Sequence, residues 1–337
     1  VNAETEGRIV RAPRRSLLAV GLLLVLVAAG CGGRSGSGGT AAPAASTTGL
    51  TGKIEIDGSS TVAPLAQAAA EAFRGSNPKV DITVGVSGTG GGFERFCAGE
   101  TDISDASREI KTDPADKEAT VCEQNGIAHT EFLVANDGLS VVVNKDNDWA
   151  TCLRVDQLKK IWEPKSNVTN WNQVDPSFPD EPLKLFGPGT DSGTFDFFTK
   201  EINGEEGASR SDYTASENDN TLVQGVKGEK GGLGYFGYSY YEQNKDELNI
   251  VQVDGGNGCV TPSVETVQSG DYAPLSRPLF MYVKNDSFTR PEVEEFMKYL
   301  IENEASVAGT AQLISLTTEQ EATAMSELEQ ALQAAGA

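Results

Sequence analysis

A single histidine, His129, stands among 337 residues, and 27 basic side chains face 49 acidic ones, for a net charge of −22. Each shortage closes off a class of chemistry. One histidine excludes any site that needs two, such as a zinc helix with paired imidazoles, and leaves one candidate base for a serine triad. A strongly acidic chain is not a nucleic-acid binder, because the phosphate backbone is held by clustered Lys and Arg. No apolar run reaches the ~20 residues that span a bilayer. What remains is moderately apolar and ordinarily charged, the composition of a globular soluble protein rather than a disordered one. The length passes the roughly 250–300 residues at which one core stops growing, so two lobes are expected.

Arg8, Arg11, Arg14 and Arg15 precede a short apolar run over residues 17–29, which leads through Gly30 into Cys31. This arrangement resembles a bacterial lipoprotein signal, in which the cysteine thiol takes a diacylglyceryl group and becomes the new N-terminus. The resemblance implies a signal peptide over 1–30 and lipid on Cys31 as the membrane anchor. Residues 31–50 then read as a flexible linker, almost wholly Gly, Ser, Ala and Thr, with nothing from which to build a core. Cleavage removes four Arg and two Glu and leaves −24. Outside the cytoplasm Cys97, Cys122, Cys152 and Cys259 meet oxidising conditions. None belongs to a Cys-x-x-Cys pair, so two structural disulfides are expected rather than a redox or metal site, with three pairings open.

Along the rest of the chain, strands alternate with polar turns and helices. Residues 53–57 alternate in period two as a strand and feed Ser59, Ser60 and Thr61, then an Ala-rich helix over 62–73. A strand over 81–86 leads into Ser87, Gly88, Thr89 and three more glycines, then a short helix to Phe96. A strand over 102–104 ends in Asp105, Ala106, Ser107 and Arg108. Helix is expected over 114–123 and strand over 127–135. Such units indicate an α/β lobe with a largely parallel sheet. The pattern resumes with an apolar run over 139–143, a helix over 155–162 and a strand over 182–186. That strand opens into Asp191, Ser192, Gly193 and Thr194 and an aromatic-rich helix over 195–202. A helix over 221–227, a Gly/Tyr strand region over 232–241, a strand over 278–283 and helices over 291–302 and 318–335 complete the reading. The aromatics of 235–241 read as core.

In an open α/β sheet ligands sit beyond the carboxyl ends of the strands, where all four polar turns fall. They offer hydroxyls, backbone N–H groups, helix N-termini and glycines that let a ligand approach the main chain. With Arg108 beside them, the set favours a tetrahedral oxyanion. Neither glycine run has the spacing of a Walker A loop, no Gly-x-Ser-x-Gly elbow occurs, and His129 is remote from every serine turn. No spacing singles out a carboxylate pair for glycoside hydrolysis. Binding is expected rather than catalysis, with no cofactor and no metal.

Residues 57–62, 86–93, 96–108, 187–195, 212–217 and 234–238 resemble, in order, the motifs of the periplasmic phosphate-binding proteins called PstS. The resemblance spans about 53–315. It implies an α/β, two-lobed type II periplasmic-binding-protein fold with two crossing hinge segments, near 139–144 and 272–277. Lobe 1 is then 51–140 and 277–337, and lobe 2 is 145–271. It implies a monomeric receptor that captures inorganic phosphate outside the cytoplasmic membrane and delivers it to the permease subunits of an ABC transporter. The implied ligands are Ser60, Thr61, Ser87, Thr89, Ser107, Arg108, Ser192, Gly193 and Thr194. Arg108 is the neutralising cation, and Asp105 or Asp191 accepts the phosphate proton. Cys97 with Cys122 and Cys152 with Cys259 are the expected disulfides, because a bridge between lobes would block hinge closure. The competing readings are a receptor for sulfate, molybdate or tungstate and an extracytoplasmic phosphoester hydrolase.

Overall fold

The computed structural model describes residues 49–113, 117–190 and 192–336; the signal, Cys31, the linker up to residue 48 and Asp191 lie outside them. Among the described residues eleven strands form two sheets around one shared strand. They are β1 (Thr51–Gly58), β2 (Lys79–Gly85), β3 (Ile103–Ala106), β4 (His129–Asn144), β5 (Cys152–Arg154), β6 (Lys184–Gly187), β7 (Thr214–Ala215), β8 (Gly232–Gly237), β9 (Leu248–Asp254), β10 (Cys259–Val260) and β11 (Ser276–Lys284). The continuous order is β2-β1-β3-β11-β4-β8-β6-β7, with β9 joining β4 to β5 and β10. The first sheet is mixed rather than largely parallel. Its strands β2, β1 and β3 run parallel, but β11 returns antiparallel between β3 and β4.

The apolar runs expected at 127–135 and 139–143 are one strand, because Asn136, Asp137 and Gly138 stay in register with β11 instead of turning. From Leu139 onward the same strand pairs with β8. The passage from one sheet to the other therefore falls at Gly138–Leu139, at the leading edge of the expected crossing. Residues 238–241 are not strand. After Gly237 the backbone turns into the helix Tyr238–Asn244, against the β preference of its tyrosines.

Each sheet has its own core. Ile54, Ile56, Ile103 and Met281 pack under the helices Ala63–Ser76, Pro291–Glu302 and Thr318–Ala335. The first of these helices has Pro64 in its opening turn and puts Leu65, Ala69 and Phe73 inward at helical spacing. Phe73 meets Phe296 edge-on at 5.6 Å, and burying such a ring is worth about 1.5–3 kcal/mol. Thr317 starts the last helix with a capping box to Gln320. The other core centres on Trp162, Phe198 and Tyr235, with Phe198 and Tyr235 stacked at 3.7 Å.

The disulfides are Cys97–Cys122 and Cys152–Cys259, as expected. Their loops span 25 and 107 residues. In the chain-entropy account, replacing Cys152 and Cys259 by serine costs about 5 kcal/mol, against about 3–4 for the shorter loop. Urea unfolding of the two double-serine variants should rank them in that order.

Candidate functional site

Three of the four polar turns line one edge of the first sheet, because they follow neighbouring parallel strands. Asp57 of β1 pairs with Gly85 of β2, and Gly58 pairs with Asp105 of β3, so the turns at 59–61, 87–89 and 107–108 emerge side by side. Close packing there depends on Gly92, since a Cβ on it would stand 2.6 Å from Gly58 Cα. That contact explains Gly92, one of four glycines in the helix Gly88–Cys97, a residue poor in helix propensity. The Ser87 N–H donates to Asp57 Oδ1 at 3.0 Å. Thr89 and Ser107 are joined twice, hydroxyl to hydroxyl at 3.0 Å and from the Ser107 N–H to Thr89 Oγ1 at 3.1 Å.

The fourth turn follows β6 and closes onto the first. Ser192 caps the helix Gly193–Phe198 by accepting from the Thr194 N–H at 3.2 Å. A Cβ on Gly193 would lie 2.5 Å from Thr61 Oγ1 and 2.7 Å from Ser60 Oγ. Only glycine allows this approach. Gly193→Ala is expected to hold the two halves apart and weaken ligand binding at least tenfold, with little loss of thermal stability; titration and a melting curve check both parts.

A residue that the sequence reading used only to mark the second crossing holds these turns together. Arg277 of β11 donates through Nη2 to Thr61 Oγ1 at 2.8 Å and to the Gly193 carbonyl at 3.5 Å, and through Nε to Asp137 Oδ2 at 3.1 Å. Its guanidinium lies over the Phe197 ring at 3.8 Å. The side chain is 12% exposed, and both N–H groups of Nη1 lack a protein acceptor among the described residues. Burial pulls its pKa down and Asp137 opposes the shift, but an arginine stays charged in a protein. Arg277 faces Asp137 in the β4–β11 register. The signal available in the sequence was weak: Asp137 between the apolar runs of β4 and Arg277 at the start of β11, two charges that burial tolerates when they pair.

Arg108 sits beside the second turn and is already paired, its two terminal nitrogens forked onto Glu118 at 2.8 and 2.9 Å. Asp105 is fully buried, and neither carboxyl oxygen has a hydrogen-bond partner. Burial first, and the Asp57 charge second, push its pKa up to about 8, so at neutral pH it is an acid rather than a carboxylate. His129 packs edge-on to Phe96 and Tyr282, with Nδ1 on the Ile127 carbonyl at 3.3 Å. Among the described residues no group of His, Cys, Asp or Glu side chains is placed to hold a metal ion, and no helix is long and apolar enough to cross a membrane.

Comparison with known proteins places this architecture. A family model described as a PBP superfamily domain matches residues 42–304. A crystal structure of a possible phosphate binding protein from Planctomyces limnophilus is 47% identical, covers 84% of this chain and 99% of its own, and superposes with a TM-score of 0.79. A putative phosphate ABC transporter substrate-binding protein with bound phosphate, from Clostridium perfringens, is 25% identical over 79% of this chain and all of its own, with a TM-score of 0.54. Protein SphX of Synechocystis is 47% identical over 269 residues, 79% of each chain. The phosphate-binding protein PstS of Staphylococcus haemolyticus is 43% identical over 266 residues, 78% of this chain and 80% of its own. The chain belongs to the PBP superfamily and, within it, to the PstS family of solute-binding receptors. Its fold is the two-lobed type II periplasmic-binding fold.

Proposed function

We propose that this protein captures inorganic phosphate outside the cytoplasmic membrane and delivers it to an ABC-type importer. The observation that carries the reading is Arg277: a largely buried cation whose Nη2 reaches both Thr61 and Gly193 and whose two Nη1 N–H groups have no acceptor among the described residues. A dianion placed there meets charge, hydroxyls and main-chain N–H groups from both halves, so its binding favours the closed arrangement. The ligand set is Ser60, Thr61, Ser87, Thr89, Ser107, Arg108, Ser192, Gly193 and Thr194, with Arg277 added. Of the two candidates for the acceptor that separates phosphate from sulfate, Asp105 keeps its own proton at neutral pH and can donate to either anion, so the role passes to Asp191. Lobe 1 is 51–140 and 277–337, and lobe 2 is 145–271. Export by the 1–30 signal, lipid on Cys31, a tether over 31–50 and a monomeric receptor without enzymatic activity complete the proposal.

Calorimetric titration with phosphate, sulfate and molybdate tests it. Phosphate should bind at least a hundredfold more tightly than either, with scattering curves contracting on binding. Tighter binding of sulfate or molybdate, or turnover of a phosphoester by the pure protein, would reverse the reading.

A further inference from the structure

Arg108 has five N–H donors, and the structure accounts for three. Nη1 donates to Glu118 Oε2 at 2.9 Å and to the Glu109 carbonyl at 3.0 Å, and Nη2 donates to Glu118 Oε1 at 2.8 Å. Glu118 thus occupies the end of the fork. The unused donors, Nε–H and the second N–H of Nη2, share the other edge of the guanidinium, the pair that grips two oxygens of a phosphate side-on. The side chain is 36% exposed and lies over Phe93 at 5.7 Å. Nη2 is 4.0 Å from where Gly90 would carry a Cβ, in the first turn of the helix that follows Ser87.

Glu118 is itself held. The Lys111 N–H donates to its Oε2 at 2.9 Å, and only 15% of its side chain is exposed. It opens the short helix Glu118–Gln124, whose Cys122 is bridged to Cys97 at the end of the Gly88–Cys97 helix. The disulfide therefore ties the holder of Arg108 to the element that starts at the anion turn. Although burial opposes it, the Arg108 and Lys111 hydrogen bonds hold the Glu118 pKa below its ordinary value, so it stays an acceptor across physiological pH.

We propose that Glu118 is a positioning residue for anion binding: it fixes the end of the Arg108 fork so that the free Nε/Nη2 edge faces the ligand. This rests on the phosphate reading of the same turns. An exposed arginine otherwise samples many rotamers, and ordering it on binding costs affinity. A pre-set edge removes that cost, a benefit set against the charge that Glu118 neutralises. The opposite outcome, a carboxylate that only competes with the ligand, makes removal of Glu118 tighten binding.

The test is a double-mutant cycle on the full mature protein, titrated with inorganic phosphate and with melting curves run in parallel. Glu118→Ala is expected to weaken binding about tenfold, and Glu118→Gln, which still accepts one guanidinium hydrogen bond, to recover part of the loss. In an Arg108→Ala background, Glu118→Ala should have no further effect on affinity, a coupling that a merely structural residue would not show. Equal losses with and without Arg108, unchanged affinity, or tighter binding by Glu118→Ala each overturn the inference. If wild type binds phosphate and Arg108→Ala binds as well, the inference falls while the receptor reading stands; if wild type binds none, both fall.

Discussion

Replacing Arg277 by methionine is expected to weaken phosphate binding by at least a hundredfold. Each charge-assisted hydrogen bond it offers is worth about 1.5–3 kcal/mol, and the two free N–H groups of Nη1 supply two. The loss goes further, because Asp137, only 9% exposed in its side chain, is left unpaired beside the incoming anion. Breaking a buried pair on one side costs about 3–5 kcal/mol of folding stability, which appears as a lower melting temperature, while the two lost hydrogen bonds account for the hundredfold change in Kd. Adding Asp137→Asn to Arg277→Met should return much of the stability but not the affinity. Lysine at 277 should fall well short of arginine, since the planar group that stacks on Phe197 and forks to Thr61 and Asp137 has no equivalent in an ammonium. Calorimetry with melting curves on these variants decides it, and an Arg277→Met protein that binds phosphate like wild type removes this residue from the site.

The second large effect concerns stability. Asp105 holds a proton in the folded protein up to about pH 8, whereas its ordinary pKa is 3.8. Between those values unfolding releases the proton, the unfolded state binds fewer, and stability falls as pH rises, levelling off above about 8. Asp105→Asn removes that penalty. The variant should match wild type near pH 4 and exceed it increasingly toward pH 8, by a few kcal/mol on the order expected for a buried unpartnered acid. Urea unfolding at pH 5, 7 and 8.5 should show the widening gap, and a pH-independent difference would contradict the buried-acid account. Because protonated Asp105 can already donate to either anion, this variant should leave the preference for phosphate over sulfate unchanged, whereas Asp191→Asn, which puts an amide donor in place of an acceptor, should narrow it. Full discrimination retained by both Asp105→Asn and Asp191→Asn would leave neither as the selecting group.

Much of this architecture is local and therefore readable. The helices at 155–162, 291–302 and 318–335 appear with the expected bounds, because apolar spacing, Pro291 and the Thr317 cap act within a few residues. The polar turns stand where strand patterns end. The role of Arg277 is not local: its partner Asp137 is 140 positions away and becomes a neighbour only when β11 returns beside β4. Strand β9 escaped the reading because both its faces carry apolar residues, so LNIVQVD shows no clean alternation. The mixed first sheet was missed for a related reason, since the strand that makes it mixed arrives from the far end of the chain.

The late arrival of β11 also governs the order in which the molecule can be made. The second sheet takes all its strands, β4 to β10, from one continuous stretch, so it can close as soon as residue 260 has emerged. The first sheet cannot. Strand β3, synthesised earlier, keeps an unpaired edge until Ser276–Lys284 slots in between it and β4, and the helices Pro291–Glu302 and Thr318–Ala335 that roof its core come later still. A chain truncated before Ser276 would present that bare edge and an uncovered apolar face together, the combination that seeds aggregation. Maturation of the half made first thus waits on the segment made last.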